Sequence, residues 1–369
     1  MKILLLSAYD AESHKRWRTG LVNNLSEHEW VTLTLPPRYF AWRIRGNGLS
    51  WGVSQRDTFC QPWDLIVATS MVDLATLKGL VPEIARVPTV LYFHENQFAY
   101  PSTRRQFSSL EPQMVTLYAA LAADVLVFNS DYNRNTFLEG VEELLAKMPD
   151  AVPQGVAGKL NRKANTLAVP LEASAFTARE QRQERGQGLH ILWNHRWEYD
   201  KGPARLLEAI CAMPESLKLT CHVVGQQFRQ RPLEFEKLRE LLIVRGWLGQ
   251  FGYIEDAQVY RQLLRSSDVV LSTALHDFQG LSVLEAVAAG CVPVVPNRLA
   301  YQELFADRYR YLSCSGDGSA EPAEATLSES AACAAMITQY AQHGLPIAPS
   351  VSNLSWSSLG PLYRQLIQQ

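Results

Sequence analysis

No run of about eighteen apolar residues, the least that crosses a bilayer as a helix, occurs in the 369-residue chain. Peripheral contact with a membrane surface stays open. The six cysteines are scattered, with no CxxC pair and no His/Cys cluster at metal-ligand spacing, a usage that predicts a reducing, cytoplasmic setting. The apolar start, Ile3 to Leu6, is too short for a signal-peptide core and runs at once into Tyr9, Asp10 and Glu12, so no targeting segment is expected. An excess of charge of one sign is also lacking: Lys and Arg number 35 against 37 Asp and Glu. That balance removes any chain-wide affinity for phosphate but leaves room for a local basic face.

What is present is a composition rich in core material, 47% hydrophobic and 20% charged, in a chain longer than one core usually supports. Short apolar runs alternate with amphipathic stretches, which predicts α/β structure with parallel sheets. In the first half the expected strands are Ile3–Leu6, Val31–Leu35, Leu65–Ala68, Thr89–Phe93 and Val125–Phe128. Pro36 to Arg56, rich in Arg, Trp and Gly, reads as an insertion loop. The pattern breaks between Pro149 and Gly188 and then returns, with strands at His190–Trp193, Leu219–Val224, Gly252, Val269–Ser272 and Val292–Val295. The expected layout is two doubly wound, Rossmann-like domains, residues 1–170 and 189–353, joined by a linker at 171–188. A terminal helix at about 354–369 is free to pack back on the first domain. Ligands of such sheets bind beyond the carboxyl ends of the strands, so the cleft between the domains is the default site.

Two segments of the second half carry charge chemistry. Trp193 to Gly202 follows a strand and opens a helix, placing Arg196 and Lys201 at the strand's carboxyl end, where the two cations could neutralise a diphosphate. The competing reading is two solvated surface cations. Downstream, Ser272 to Ala286 reads as strand, glycine turn and helix, with Asp277, Phe278, Gln279 and Gly280 before the helix and Leu281, Ser282 and Glu285 within it. Backbone amides at such a helix start attract anions, and the two carboxylates can accept hydrogen bonds from sugar hydroxyls. Asp277 could equally be only a turn former and Glu285 an ordinary helix residue. Gly225 and Tyr253 are further donor-side candidates.

In the first half, His94, Glu95, Asn96 and Gln97 follow a buried strand, Ser13, His14 and Lys15 follow the first strand's loop, and Asn129 and Ser130 end the Val125 strand. These are acceptor-side candidates, although a lone histidine is usually structural and Ser13 could simply cap a helix. Arg38, Tyr39, Phe40, Trp42, Arg43, Arg45, Trp51 and Arg56 interleave cations with aromatics, and Arg104 and Arg105 lie further on. Such groups pair with phosphates and stack on bases. The same face would suit a glycolipid at a membrane surface, or its aromatics could pack on the domain.

The Arg-x4-Lys element, Arg196 with Lys201, and the acidic-x7-Glu element, Asp277 with Glu285, resemble the family-four retaining nucleotide-sugar glycosyltransferases. That resemblance implies the GT-B fold, with the basic pair on the donor diphosphate, Glu285 on the ribose and Asp277 on the transferred sugar. Most of that family has Glu where this chain has Asp277. His94-Glu95-Asn96-Gln97, Val127-Phe128-Asn129-Ser130, His195-Arg196-Trp197-Glu198 and Tyr301-Gln302-Glu303-Leu304-Phe305 resemble a narrower group, the tRNA-queuosine α-mannosyltransferases, from Met1 to about Phe305.

The narrower resemblance implies GDP-mannose as donor and, as acceptor, the cyclopentenediol of queuosine in the anticodon of tRNA-Asp. It also implies a retaining transfer in which His94 orients the sugar or partly screens charge. With no acidic pair at metal-binding spacing, neither metal nor other cofactor is expected. Two other readings stay open: a glycosyltransferase using GDP-mannose or a UDP-sugar on a lipid or polysaccharide, and a non-catalytic tRNA- or nucleotide-binding module.

Overall fold

The computed structural model describes residues 1–99, 109–176, 188–228, 231–314 and 323–368. Arg104 and Arg105 lie outside them. The described residues form two compact units, one within 1–170 together with 356–368, the other within 171–355.

Unit 1 runs β1 (Lys2–Ser7), α1 (Glu12–Asn24), β2 (Glu29–Thr34), α2 (Phe40–Ser54), α3 (Arg56–Phe59), β3 (Leu65–Thr69), α4 (Leu74–Leu80), β4 (Thr89–Phe93), α5 (Glu111–Ala122), β5 (Val125–Phe128), α6 (Asp131–Ala146), α7 (Val156–Asn161) and β6 (Ala164–Thr166). Its strands pair in parallel in the order β2-β1-β3-β4-β5-β6. β3 and β4 are buried along their whole length, as strands covered on both faces must be, and this is why they read as unbroken apolar runs.

The segment expected to be an insertion loop is instead largely helix α2. Ile44, Asn47, Gly48 and Trp51 recur at helical spacing and are buried. Its glycines serve packing: a Cβ at Gly48 would lie 3.2 Å from the Thr76 side chain, and one at Gly52 would lie 3.2 Å from Leu80. A glycine-marked loop in the sequence is therefore a helix drawn close to α4.

Unit 2 runs β7 (Leu189–Trp193), α8 (Pro203–Ala212), β8 (Leu219–Val224), α9 (Glu234–Val244), β9 (Leu248–Gly252), α10 (Ala257–Ser266), β10 (Val269–Leu271), α11 (Leu281–Ala288), β11 (Val292–Pro296), α12 (Tyr301–Leu304), β12 (Arg310–Tyr311) and α13 (Ala323–His343). Its parallel order is β12-β11-β10-β7-β8-β9. The order reverses between β7 and β10, the place where open α/β sheets leave a crevice for ligands. In unit 1 the corresponding reversal falls between β1 and β3.

The final helix, α14 (Trp356–Ile367), belongs to unit 1. Its Tyr363 is buried with its hydroxyl 3.0 Å from Trp17 Nε1, which donates to it, 3.1 Å from the Tyr92 hydroxyl and 3.0 Å from the Ala168 carbonyl oxygen. Tyr363→Phe leaves the Trp17 N–H buried without an acceptor and is expected to destabilise unit 1 by about 1–3 kcal/mol. Urea unfolding checks this, and an unchanged midpoint would contradict it.

Candidate functional site

The carboxyl end of β7 leads through Asn194 to a 3-10 turn, Tyr199–Lys201. Lys201 is 8% exposed. Its Nζ donates to the His276 carbonyl oxygen at 2.6 Å and lies 3.1 Å from Asp200 Oδ2 and 3.6 Å from Asp277 Oδ2. Burial alone would depress the ammonium's pKa, but Asp277 and Asp200 outweigh it and the pKa is raised. Burial likewise opposes the charged forms of Asp277 and Asp200, yet Lys201 holds both below the usual carboxylate range.

Backbone bonds join the same two loops. The Leu275 and His276 amides donate to the Asp200 carbonyl oxygen at 2.8 and 3.1 Å. Thr273 Oγ1 donates to the Lys201 carbonyl oxygen at 3.0 Å while accepting from Trp193 Nε1 at 3.0 Å. The loop after β10 is gripped from its other side by Arg298, whose Nε and Nη2 donate to the Ala274 carbonyl oxygen at 3.1 and 3.0 Å. Arg298 forms a bidentate pair with Glu329 at 2.7 and 2.6 Å, and Arg205 Nε lies 3.2 Å from the same carboxylate.

Asp277 Oδ1 accepts the Gly280 amide at 2.8 Å, so it is a turn former as well as the lysine's partner. Gly280 has φ 72°, and a Cβ there would meet Tyr301 Cε1 at 2.8 Å, so only glycine fits. It leads into α11 without a side-chain cap, leaving the first-turn amides of Leu281 and Ser282 to an incoming acceptor. Asn194 Nδ2 donates to the Ser282 carbonyl oxygen at 2.8 Å, and Ser282 Oγ is 3.5 Å from His195 Nδ1.

Asn194 Oδ1 and His195 Nε2 are buried with no hydrogen-bond partner among the described residues, which suits a site awaiting a polar ligand. Neither belongs to the sequence-derived site set; the signal for both was present in the motif around Arg196. Burial, then Lys201, lowers the His195 pKa to about 4, so its imidazole is neutral near pH 7.

Arg196 is 46% exposed on its side chain and pairs with Glu198 at 3.0 Å. Its charge bears on both His195 and Lys201. Carboxylates stand close to both cations, Glu198 beside Arg196 and Asp200 and Asp277 beside Lys201. Glu285 is buried one turn into α11; Gln279 and Phe278 are buried in the turn before it, and the Phe278 ring meets His276 edge to face at 4.5 Å. A Cβ at Gly225 would lie 1.8 Å from the His195 carbonyl oxygen, so that residue permits the close approach of two strand ends. Tyr253 is 61% exposed just beyond β9.

In unit 1, His94 at the end of β4 stacks on His14 of α1 with centroids 4.1 Å apart, edge on to Trp17 at 4.9 Å. His94 Nε2 and His14 Nδ1 are buried with no hydrogen-bond partner among the described residues, and His14 Nε2 lies 3.7 Å from Glu95 Oε2. Burial, then His14, holds the His94 pKa well below its ordinary value. Its imidazole is therefore neutral near pH 7.

Asn96, Asn129 and Ser130, expected to touch the acceptor, are buried and spend their polar atoms internally. Asn96 Nδ2 donates to Asn133 and Thr136, and its Oδ1 accepts the Phe98 and Ala99 amides. Asn129 Nδ2 donates to the His94 carbonyl oxygen, its Oδ1 accepts from Asn133, and Ser130 caps α6. These residues fix the strand ends that carry His94.

Ser13 does not cap α1, whose N-cap position is Ala11. Lys15 is exposed, and Gln97 is half-buried against Met71 Sδ at 3.7 Å. Arg45 is tied to the buried Asp73 at 2.5 Å, and Arg43 donates to the Pro36 carbonyl oxygen at 3.2 Å.

A curated relative, the tRNA-queuosine alpha-mannosyltransferase of Drosophila melanogaster, is 32% identical over 314 residues, 82% of this chain and 81% of its own. The chain belongs to the tRNA-queuosine α-mannosyltransferase family. Residues 2–171 match the model of that family's N-terminal region, and residues 175–339 match glycosyl transferases group 1. The lipopolysaccharide glucosyltransferase WaaG of Escherichia coli K12 is 33% identical over 109 residues, 29% of this chain and 28% of its own.

Among solved structures, Alr3699/HepE of Anabaena in complex with UDP covers all of both chains at TM-score 0.63 and 14% identity. Sucrose-phosphate synthase of Thermosynechococcus elongatus covers 100% of this chain and 99% of its own at TM-score 0.66 and 13% identity. With two six-stranded parallel sheets, this is the GT-B glycosyltransferase fold. Among the described residues no helix is long and apolar enough to cross a membrane.

Two predictions concern the site's integrity. Glu329→Ala strands two buried guanidiniums and is expected to cost about 3–5 kcal/mol, read by denaturant unfolding; a loss under 1 kcal/mol would contradict it. His195 and His222, both lowered to about 4 mainly by burial, accept protons in the unfolded chain before they do in the folded one. Their stabilisation is complete above pH about 6.5 and is lost as pH falls toward 4. A melting temperature flat across that window would show that these imidazoles are not buried as described.

Proposed function

We propose that the protein transfers mannose from GDP-mannose, with retention of configuration, to a hydroxyl of the queuosine cyclopentenediol in the anticodon of tRNA-Asp. The observation that carries the donor half of this reading is the buried Lys201 beside the uncapped start of α11, at the strand-order reversal of unit 2. The acceptor half rests on family membership, since the Drosophila relative is named for queuosine in tRNA. A tRNA acceptor agrees with a cytoplasmic site of action.

In this proposal the departing diphosphate takes hydrogen bonds from Lys201 Nζ, the α11 first-turn amides and the Arg196 guanidinium, each of which gains strength as negative charge grows on the phosphate. Lys201 must then share its ammonium between the phosphate and Asp277. Asp277, already holding the Gly280 amide through Oδ1, keeps Oδ2 for a sugar hydroxyl, and Glu285 takes the ribose hydroxyls. His94, neutral, donates or accepts one hydrogen bond to a sugar hydroxyl through Nε2. The acceptor proton passes to a donor phosphate oxygen, so no protein base is required. The reaction is proposed to need no metal, its leaving-group charge being met by Lys201, Arg196 and amides.

Mass spectrometry of nucleosides from queuosine-containing tRNA-Asp, after incubation with GDP-mannose, is expected to find one added hexose on queuosine. Lys201→Ala should slow transfer on the order of a hundredfold, and a chelator should leave the rate unchanged. Transfer only to a lipid or polysaccharide would refute the acceptor, and full activity of Lys201→Ala would refute the site. Loss of turnover in chelator, restored by a divalent cation, would refute metal independence.

A further inference from the structure

Between Trp30 and Arg56 the chain has no acidic residue and four arginines. Two of these are spoken for, Arg45 by Asp73 and Arg56 by Glu83, and Trp51 is core. Arg38 and Arg43 have no ion-pair partner among the described residues, and Arg38 lies over the Tyr39 ring at 5.6 Å. Three aromatics on the first turn of α2 face solvent instead of the core: Tyr39 is 71% exposed, Phe40 39% and Trp42 52%.

Two local details accompany this exposure. Tyr39, at the N-cap of α2, sits at φ 57° and ψ 56°, a left-handed conformation that bulky residues seldom adopt. Trp42 lies on Gly46: a Cβ there would meet three indole atoms at nearly equal distances, 2.6, 2.6 and 2.7 Å. Equal distances mean that a ring face, not an edge, covers the glycine, which leaves the opposite face open. Phe40 meets Tyr9, just beyond β1, edge to face at 6.1 Å, and Arg43, on the same turn, is itself an acceptor-side candidate.

We propose that this end of α2, with Arg38, Tyr39, Phe40, Trp42 and Arg43, is where the unpaired loop of the acceptor RNA docks, guanidiniums on its phosphates and rings stacked on its bases. This rests on the tRNA reading above and names the surface that recognises the RNA. An open indole face, an exposed tyrosine and unpaired cations without intervening carboxylates form a stacking platform in a positive field, the combination that binds single-stranded nucleic acid with little sequence demand. The surface supplies affinity for the loop, and the acceptor hydroxyl is selected elsewhere.

The test compares the full-length protein with Arg38→Ala, Trp42→Ala and Gly46→Ala by fluorescence anisotropy with a labelled tRNA-Asp anticodon stem-loop, alongside transfer kinetics on whole tRNA. Gly46→Ala adds only a methyl inside a helix, yet unseats the Trp42 ring. Trp42→Ala and Gly46→Ala are expected to weaken RNA binding roughly tenfold and raise KM for tRNA to match, without raising KM for GDP-mannose. Arg38→Ala should flatten the slope of log affinity against log salt by about 0.7, one single-strand phosphate contact.

Variants that bind the stem-loop as tightly as the parent overturn the surface, whatever the enzyme transfers. So does a loss confined to vesicles of phosphatidylglycerol, which would make this a membrane-docking face. A parent protein that binds the stem-loop through these residues but moves no mannose to tRNA keeps the surface and overturns only the functional reading.

Discussion

Everything at the carboxyl ends of β7 and β10 in unit 2 hangs on one buried ammonium. Lys201 joins the turn after β7 to the loop after β10 through the His276 carbonyl oxygen, with Asp200 and Asp277 on either side. A lone lysine at that depth would give up its proton, and lone carboxylates would take one up. Together they stay charged, so the site's shape and its charge state are one condition. Asp277 passes that order on to Gly280 and thereby to the start of α11.

The loop between β10 and α11 is held on both sides, by Asp200 and Lys201 on one and by Arg298 on the other. In the proposed reaction such over-determination would keep donors aimed at the developing charge with no reorganisation at the moment of reaction. Unit 1 meets a different demand with different electrostatics. Its residues around His94 are neutral and hydrogen-bonded, with Asn96, Asn129 and Asn133 locking strand ends while the imidazole edge is left unsatisfied. In the proposed reaction this histidine recognises a hydroxyl, a task that needs placement more than charge.

The sequence made the parallel strands legible because burial on both faces writes them as apolar runs; β4 begins and ends where periodicity placed it, and α14 falls within the expected terminal helix. The Arg196, Lys201, Asp277 and Glu285 spacings were legible because loops at strand ends concentrate polar residues in short motifs. What escaped was set by packing across the sequence. Helix α2 was hidden by glycines that read as breakers but allow contact with Thr76 and Leu80. The Arg298–Glu329–Arg205 cluster joins residues far apart in the chain, which no local pattern reveals. Asn96, Asn129 and Ser130 looked like substrate contacts because polarity at a strand end is shared by binding residues and by those that brace them.

The most direct measurement is a crystal structure with a nucleoside diphosphate bound. This account predicts a phosphate oxygen within hydrogen-bonding distance of Lys201 Nζ and of the Leu281 or Ser282 amide, with Asp277 still holding Gly280. Phosphates seated elsewhere, such as the groove lined by Lys218 and Arg245 at the amino ends of β7 and β8, with Lys201 untouched, would contradict it.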